Sequence, residues 1–388
     1  AGAPMAPEDA LAAHQRQLGA LSLRVAALCD SHEALCDCLA ASGAISLERH
    51  LANVHRRRFA DALRRHPGRL HESLESVLQA KAGVASAAAE LAALFPLTLH
   101  AVGGEAGGAP TASVESFDIP ASVWRDSPPL RQPRSGCAAV ALGNCLYVAG
   151  GCSVEGEDLS SVERFDLMRQ LWEPQPPLHS GRDELAACAS EGRVVVVGGS
   201  HLVWPIRHVV NTAEFLRPAD ARPGWELLPS LSRERCAAAA VAVNGFVYVL
   251  GGCDEDGTAL DSAERLAPAG GPWEPLPPMT QPRCNFAAAA AGGRIFVAGG
   301  YDDRMRDLDA VEILDPLCCR WESVAQLPVP RWGVRAVGRA GYVFVVGGHA
   351  RDGEVNTVDR LDPQTGQWLS LPALRGPRRS FGLAASCG

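Results

Sequence analysis

Six double glycines, Gly103-Gly104, Gly150-Gly151, Gly198-Gly199, Gly251-Gly252, Gly299-Gly300 and Gly347-Gly348, recur along the chain at intervals of 47, 48, 53, 48 and 48 residues. Each closes a short apolar run (LHAVGG, LYVAGG, VVVVGG, VYVLGG, IFVAGG and VFVVGG), and each is followed 20 to 26 residues later by one tryptophan: Trp124, Trp172, Trp225, Trp273, Trp321 and Trp368. A fixed period that carries two marks means six copies of one supersecondary unit.

The second unit runs from a small-residue stretch (GCAAVALG) through CLYVAGG, an acidic loop and SSVERFDL to QLWEP, which predicts four short strands joined by turns. The CLYVAGG-type runs are nearly all apolar instead of alternating, the pattern of a strand covered on both faces. One four-stranded sheet cannot cover itself, and radial stacking into a closed ring covers both faces of every sheet. The expected fold is therefore mainly β, a six-bladed propeller over 95–388. Glycine supplies the positive φ of a sharp turn at the end of the strand, and tryptophan supplies packing surface between blades. The first unit begins at PLTLHAVGG with no small-residue strand before it, and the chain ends in RRSFGLAAS (378–386) with no GG run after it. The last segment is expected to complete the first blade and so remove the free sheet edges.

These marks, together with the VESFD, VERFD and VEILD segments, resemble the kelch repeat family. The resemblance covers Pro96 to Gly388, about three quarters of the chain, and implies a six-bladed kelch propeller most like that of the kelch-like substrate adaptors.

With 47% hydrophobic residues and a net charge of −8, the chain reads as a soluble protein with ample core. It contains no apolar stretch of membrane-spanning length, so no membrane partner is expected, and the cytoplasm is the expected compartment. The 13 cysteines match neither a zinc spacing nor a compact disulfide scaffold. Cys137, Cys145, Cys188, Cys236 and Cys284 read as small packing groups in or beside strands, whereas Cys152 and Cys253, directly after double glycines, open surface loops and are candidates for reactivity.

Strand signals are absent before Pro96. Apolar residues at helical spacing, such as Leu11, Leu18, Leu21, Val25 and Leu28, predict a small all-α domain over 1–94. By position it resembles the helical BACK domain of the kelch-like adaptors; no BTB-like segment is visible. The arginines around Arg56 to Arg65 read as a solvated helix face, with no interleaved aromatics to stack on bases.

One arginine precedes the small-residue strand in every unit: Arg134, Arg182, Arg235, Arg283, Arg331 and Arg378. Two readings follow from this. A ring of guanidinium groups at the channel mouth would hold an acidic or phosphorylated peptide, as the resemblance to kelch-like substrate receptors implies. Alternatively, each arginine pairs with the acid that also recurs once per unit, at Glu115, Glu163, Glu214, Glu264, Glu312 and Asp359. The residues beside the arginines vary: Ser135, Asp183, Cys236, Cys284, Trp332 and Arg379, then Asn285, Arg335 and Ser380. Variable loop residues on a constant scaffold are natural carriers of specificity, and Trp332 beside Arg331 is the strongest candidate. The third unit is longer by about five residues within SHLVWPIRHVVNT, and Trp204 in that insertion is a second candidate contact. The acidic loops Glu155, Glu157 and Asp158, Asp254 to Asp256, and Asp302 with Asp303 would form a rim that disfavours nucleic acid.

No P-loop, HExxH, Ser-His-Asp order or carboxylate dyad stands out. His201, His208, His349 and Tyr301 are too few and scattered to read as a copper site, so neither a cofactor nor a metal is expected. The expected role is a non-catalytic protein-interaction platform, namely substrate recognition for a cullin-type ubiquitin ligase reached through an upstream domain. A cytoskeletal, actin-associated scaffold is the alternative, and an enzyme with a site at the channel mouth is a third.

Overall fold

The structure, a computed structural model, describes residues 97–388 apart from 204, 205, 221 and 388. The helical domain expected over 1–94 and the candidate Trp204 both lie outside the described residues. Among the described residues no helix is long and apolar enough to cross a membrane.

Among the described residues, six four-stranded antiparallel sheets follow one another in sequence. Blade 2 is typical: inner strand Ala138–Leu142, second strand Cys145–Ala149, third strand Val162–Asp166 and outermost strand Leu171–Gln175. Blade 1 draws its inner strand from the other end of the chain, since Gly382–Cys387 pairs antiparallel with Leu97–Val102, Val102 opposite Gly382 and Leu97 opposite Cys387. Inner strands of successive blades adjoin all the way round, from Ala138–Leu142 through Arg335–Arg339 to Gly382–Cys387 and back to Ala138–Leu142. The propeller is therefore closed.

The second strands are predominantly apolar because both of their faces are covered. Val194, Val195, Val196 and Val197 are each exposed by no more than 1%, worth about 2 kcal/mol of burial per valine. Six apolar clusters hold the blades together, each shared by two neighbours. The cluster of Leu99, Phe117, Phe344, Val346 and Phe381, for instance, joins blade 6 to blade 1.

Both glycines of each pair have positive φ, 70° at Gly299 and 90° at Gly300 for example. A Cβ on Gly299 would sit 2.6 Å from the carbonyl oxygen of Arg331, and one on Gly300 2.6 Å from that of Cys284. The double glycine is thus required by the turn and by close approach, of the next blade at the first glycine and of the blade's own inner strand at the second. The amide of the second glycine then donates to the next blade's arginine carbonyl, from Gly104 to Arg134 (2.8 Å) round to Gly348 to Arg378 (2.9 Å).

The repeat tryptophans lie at the outer edge of the ring and bond backwards. Trp172 Nε1 donates to the Pro128 carbonyl of the preceding blade (2.8 Å), and Trp124 donates to Pro372 of blade 6 (2.8 Å), which closes this circle as well.

Candidate functional site

The six repeated arginines are all buried, Arg134, Arg235 and Arg283 completely and the others by all but 3% or less. Each pairs with the repeated acid of its own blade: Arg134 with Glu163, Arg182 with Glu214 and Arg235 with Glu264 at 2.9 Å, Arg331 with Asp359 at 2.6 Å, Arg283 with Glu312, and Arg378 with Glu115. In five of the blades the guanidinium also donates to the carbonyl of the first glycine of the pair, as from Arg134 to Gly150 (2.9 Å) and Arg283 to Gly299 (3.1 Å). The second carboxylate oxygen caps the connection between blades by accepting a backbone N–H, from Arg131 at Glu163 (2.9 Å) and from Thr280 at Glu312 (2.8 Å). Burial pulls the pKa of Arg182, Arg235, Arg283, Arg331 and Arg378 down against the paired carboxylates. The expected arginine collar is thus corrected: these side chains are committed to the blades and present no cations to the channel, because a buried charge must be paired.

Two residues after each arginine the chain enters the left-handed region. Gly136, Glu184, Ala237, Asn285, Gly333 and Ser380 have φ between 49° and 63°, at a cost of about 1 kcal/mol for each of the four that are not glycine. This turn aims each N–H at the preceding blade. Glu184 donates to Gly136 (2.9 Å), Ala237 to Glu184 (2.9 Å), Asn285 to Ala237 (3.0 Å), Gly333 to Asn285 (2.7 Å), Ser380 to Gly333 (3.0 Å) and Gly136 to Ser380 (2.7 Å). Six amides form a closed ring at one end of the channel. Asn285 and Ser380, singled out from sequence, are members of that ring, and Asn285 is buried.

The channel below this ring is narrow, a cavity of about 90 Å³ walled by alanines such as Ala138, Ala186, Ala239 and Ala287. That is far below the ~300–1,000 Å³ of a small-molecule pocket. Arg335 also lines this channel. It opens its inner strand at the register position that Ala138, Ala186, Ala239, Ala287 and Gly382 occupy in the other blades. Its Nη1 donates to the Val334 carbonyl (3.2 Å), and burial pulls its pKa down.

Just outside the amide ring, the residue after each arginine faces the residue after each double glycine in an antiparallel bridge. The six pairs are Ser135 with Cys152, Asp183 with Ser200, Cys236 with Cys253, Cys284 with Tyr301, Trp332 with His349, and Arg379 with Glu105. Since all six stand at the start of an inner strand, they surround the same mouth, one pair per blade. Their chemistry differs from blade to blade. Asp183 accepts from Ser200 Oγ (2.8 Å) and from Arg207, while burial lifts its pKa against the guanidinium. Trp332 is half-buried, with His349 stacked on it (ring centroids 5.0 Å apart), Tyr301 edge-on (5.9 Å) and the Arg379 guanidinium over its face (4.8 Å). Arg379 is itself paired with Glu105 and lies 3.4 Å from Glu354.

Of these partners, sequence reasoning missed Glu105 and Ser200, and it weighed His349 and Tyr301 only as copper ligands. The signal was present in the position directly after each double glycine, which varies as much as the position after each arginine.

The longer third unit folds into a hairpin of Ser200–Val203 and Ile206–Val209. Its Leu202, Val203 and Ile206 are exposed by 41%, 56% and 56%. The hairpin is tied to blade 2 by the Leu202 N–H on Asp158 (2.5 Å) and to blade 4 by His208 on Glu255 (2.9 Å). Cys152, Asp158 and Asp183 bring ligand-type atoms within 4.8 Å of one another. Arg207, paired with Asp183 and 3.6 Å from Asp158, already supplies the cation there. The acidic rim divides in two: Asp254 and Asp302 turn inward and accept N–H groups of their own loops, from Thr258 (2.9 Å) and from Arg304 (2.9 Å), whereas Glu155, Glu157, Glu255, Asp256 and Asp303 are exposed.

Comparison with known proteins agrees with this architecture. A Kelch motif model matches residues 133–179, 234–280, 282–328 and 330–375. These are four of the six units, and the third, whose hairpin insertion breaks the period, falls outside them. Kelch repeat protein M-T8 of Myxoma virus (strain Lausanne) is 42% identical over 53 residues, which is 14% of this chain. The matched stretch spans 10% of that protein's own length. Motif, period and closed ring of six sheets agree, and the chain belongs to the kelch-repeat family of β-propellers.

Proposed function

We propose that the mouth bearing the six bridged pairs is a docking face for another polypeptide, and that the chain serves as the substrate-recognition part of a cullin-type ubiquitin ligase adaptor. The observation that carries this reading is the contrast between two neighbouring positions. Arginine, amide ring and double glycine repeat with little change in every blade, while the pairs beside them differ in all six. A scaffold that fixes the backbone and varies only the outward side chains suits recognition of one particular partner. Trp332 is the centre of that face, because a half-buried indole braced by His349, Tyr301 and Arg379 joins the side-chain types that dominate interface energies and needs little ordering on binding. With the six arginines committed to the blades and Arg379 paired with Glu105 and Glu354, the partner segment this face suits sets an apolar or aromatic side chain on Trp332.

The test is co-precipitation with the full chain, followed by identification of the retained proteins and by repetition with Trp332→Ala. Loss of a retained substrate protein by about tenfold or more supports the docking face. Undiminished retention removes Trp332 from it. Co-retention of a cullin supports the adaptor role, and actin in its place supports the cytoskeletal alternative.

A further inference from the structure

One of the six rim pairs consists of two thiols. Cys236 and Cys253 exchange both backbone hydrogen bonds, Cys236 N–H to Cys253 O (3.0 Å) and Cys253 N–H to Cys236 O (2.9 Å). A pair of this kind has Cα atoms about 5.5 Å apart, inside the range of roughly 4.4–6.8 Å that a disulfide spans. The two Sγ atoms are 3.4 Å apart and unbonded. Cys284 of the next blade packs in the same cluster and donates its S–H to the Tyr301 carbonyl (3.8 Å), and Ala237, Ala259, Val209 and Tyr301 enclose the three thiols.

The two sulfurs are not equivalent. The hydrogen bond between the two sulfurs holds the Cys253 thiol below its usual range and, together with burial, pushes Cys236 up. Cys253 is 8% exposed, at the edge of the loop that follows the double glycine.

We propose that Cys236 and Cys253 are a redox couple at the channel mouth, oxidised by a hydroperoxide to a cross-strand disulfide and returned to the dithiol by a small thiol. Cys253 is the attacking sulfur: its thiolate forms an S–O bond to the peroxide, the O–O bond breaks, and the alcohol or water leaves with a proton. Cys236 then attacks the Cys253 sulfenic acid, the S–S bond forms, the S–O bond breaks, and the hydroxyl leaves as water with the Cys236 proton. Two thiols and one hydroperoxide yield one disulfide, one alcohol and one water, with two electrons passing from sulfur to oxygen.

Among the described residues the exposed Cys318 beside Cys319 is a competing pair, so the experiment uses the full chain carrying Cys318→Ser and Cys319→Ser. Hydrogen peroxide is added, free thiols are blocked with N-ethylmaleimide on denaturation, and linked peptides are mapped by mass spectrometry. The expected product joins Cys236 to Cys253 and disappears on incubation with excess reduced glutathione. Order of attack is read with dimedone: Cys236→Ser and Cys236→Ala should each trap sulfenic acid at Cys253, about tenfold above labelling of Cys236 in Cys253→Ser. Recovery of Cys236 and Cys253 as free thiols after peroxide, a link from Cys253 to Cys284 with Cys236 free, or equal dimedone labelling overturns the proposal.

Discussion

Substituting Glu312→Ala separates a structural arginine from a ligand-binding one. Arg283 is completely buried and its partner carboxylate is 1% exposed. Without Glu312, the guanidinium keeps its bonds to the carbonyls of Gly299 (3.1 Å) and Ala310 (3.0 Å) but loses its only counter-charge among the described residues, and it cannot shed its proton. Losing a charge-assisted hydrogen bond costs about 1.5–3 kcal/mol, and the Thr280 N–H, bonded to the same carboxylate at 2.8 Å, adds about 1–3 kcal/mol once unsatisfied. The sum agrees with the ~3–5 kcal/mol typical of a buried pair broken from one side. For a propeller of this size that is a melting point lower by about 5–8 °C, readable by calorimetry or urea unfolding. The double substitution Arg283→Met with Glu312→Leu removes both charges, and its cost is expected to be smaller than that of Glu312→Ala alone. A loss under about 1 kcal/mol for Glu312→Ala, or a double variant worse than the single one, would refute the assignment. An exposed ligand-binding arginine would alter retention of a partner and leave the melting point where it was.

Two further outcomes follow from the closing blade. His100, whose ring nitrogens meet Ser116 Oγ and Ser386 Oγ at 2.8 Å, is lowered by burial from 6.5 to about 4. The unfolded chain therefore takes up a proton that the folded one refuses, so this contribution is full above pH 6.5 and falls by about 3 kcal/mol as the pH drops toward 4. Glu184, raised by burial to about 7, slopes the other way between pH 4.5 and 7, and subtracting the pH profile of His100→Gln isolates the histidine. Identical profiles would contradict the assignment. Ending the chain at Phe381 removes Gly382–Cys387 and leaves Leu97–Val102 as an unpaired edge. Deuterium uptake over Leu97–Val102 should then rise to that of the loops, and continued protection would show that another segment closes the ring.

What the sequence made legible was whatever repeats. The double glycines and the tryptophans announced the six sheets because each is required by backbone geometry or blade contact, and such requirements recur in every copy. Illegible was the direction a side chain takes. Arg283 and Arg379 are both arginines at the start of an inner strand, yet one is buried in its blade and the other lies over Trp332 on the rim. Only the residue's place relative to the left-handed turn, known once the ring of amides is seen, separates the two. The recurrence of one acid per unit held the necessary hint, since a side chain that repeats unchanged in six blades serves what the six blades share. Arg335 shows the converse: a single large cation where five blades carry alanine or glycine stands out in register, but its position in the channel wall emerges only from the strand pairing.

Three circles of hydrogen bonds run round the propeller: the left-handed amides, the glycine amides on arginine carbonyls, and the indoles on the preceding blade. Each passes from blade to neighbour and each closes between blade 6 and blade 1, so a change in backbone path within them strains two blades at once. This division of labour explains where variation is found. A bridged pair such as Trp332 with His349 uses its backbone to hold the rim and leaves its side chains out of all three circles. Chemistry can therefore change pair by pair, to stacked rings, paired thiols or an ion pair, while the scaffold beneath stays constant. Departures from the local rule at a packed position, of which Arg335 and the hairpin of blade 3 are the clearest, are where a fold of this regularity is expected to carry function.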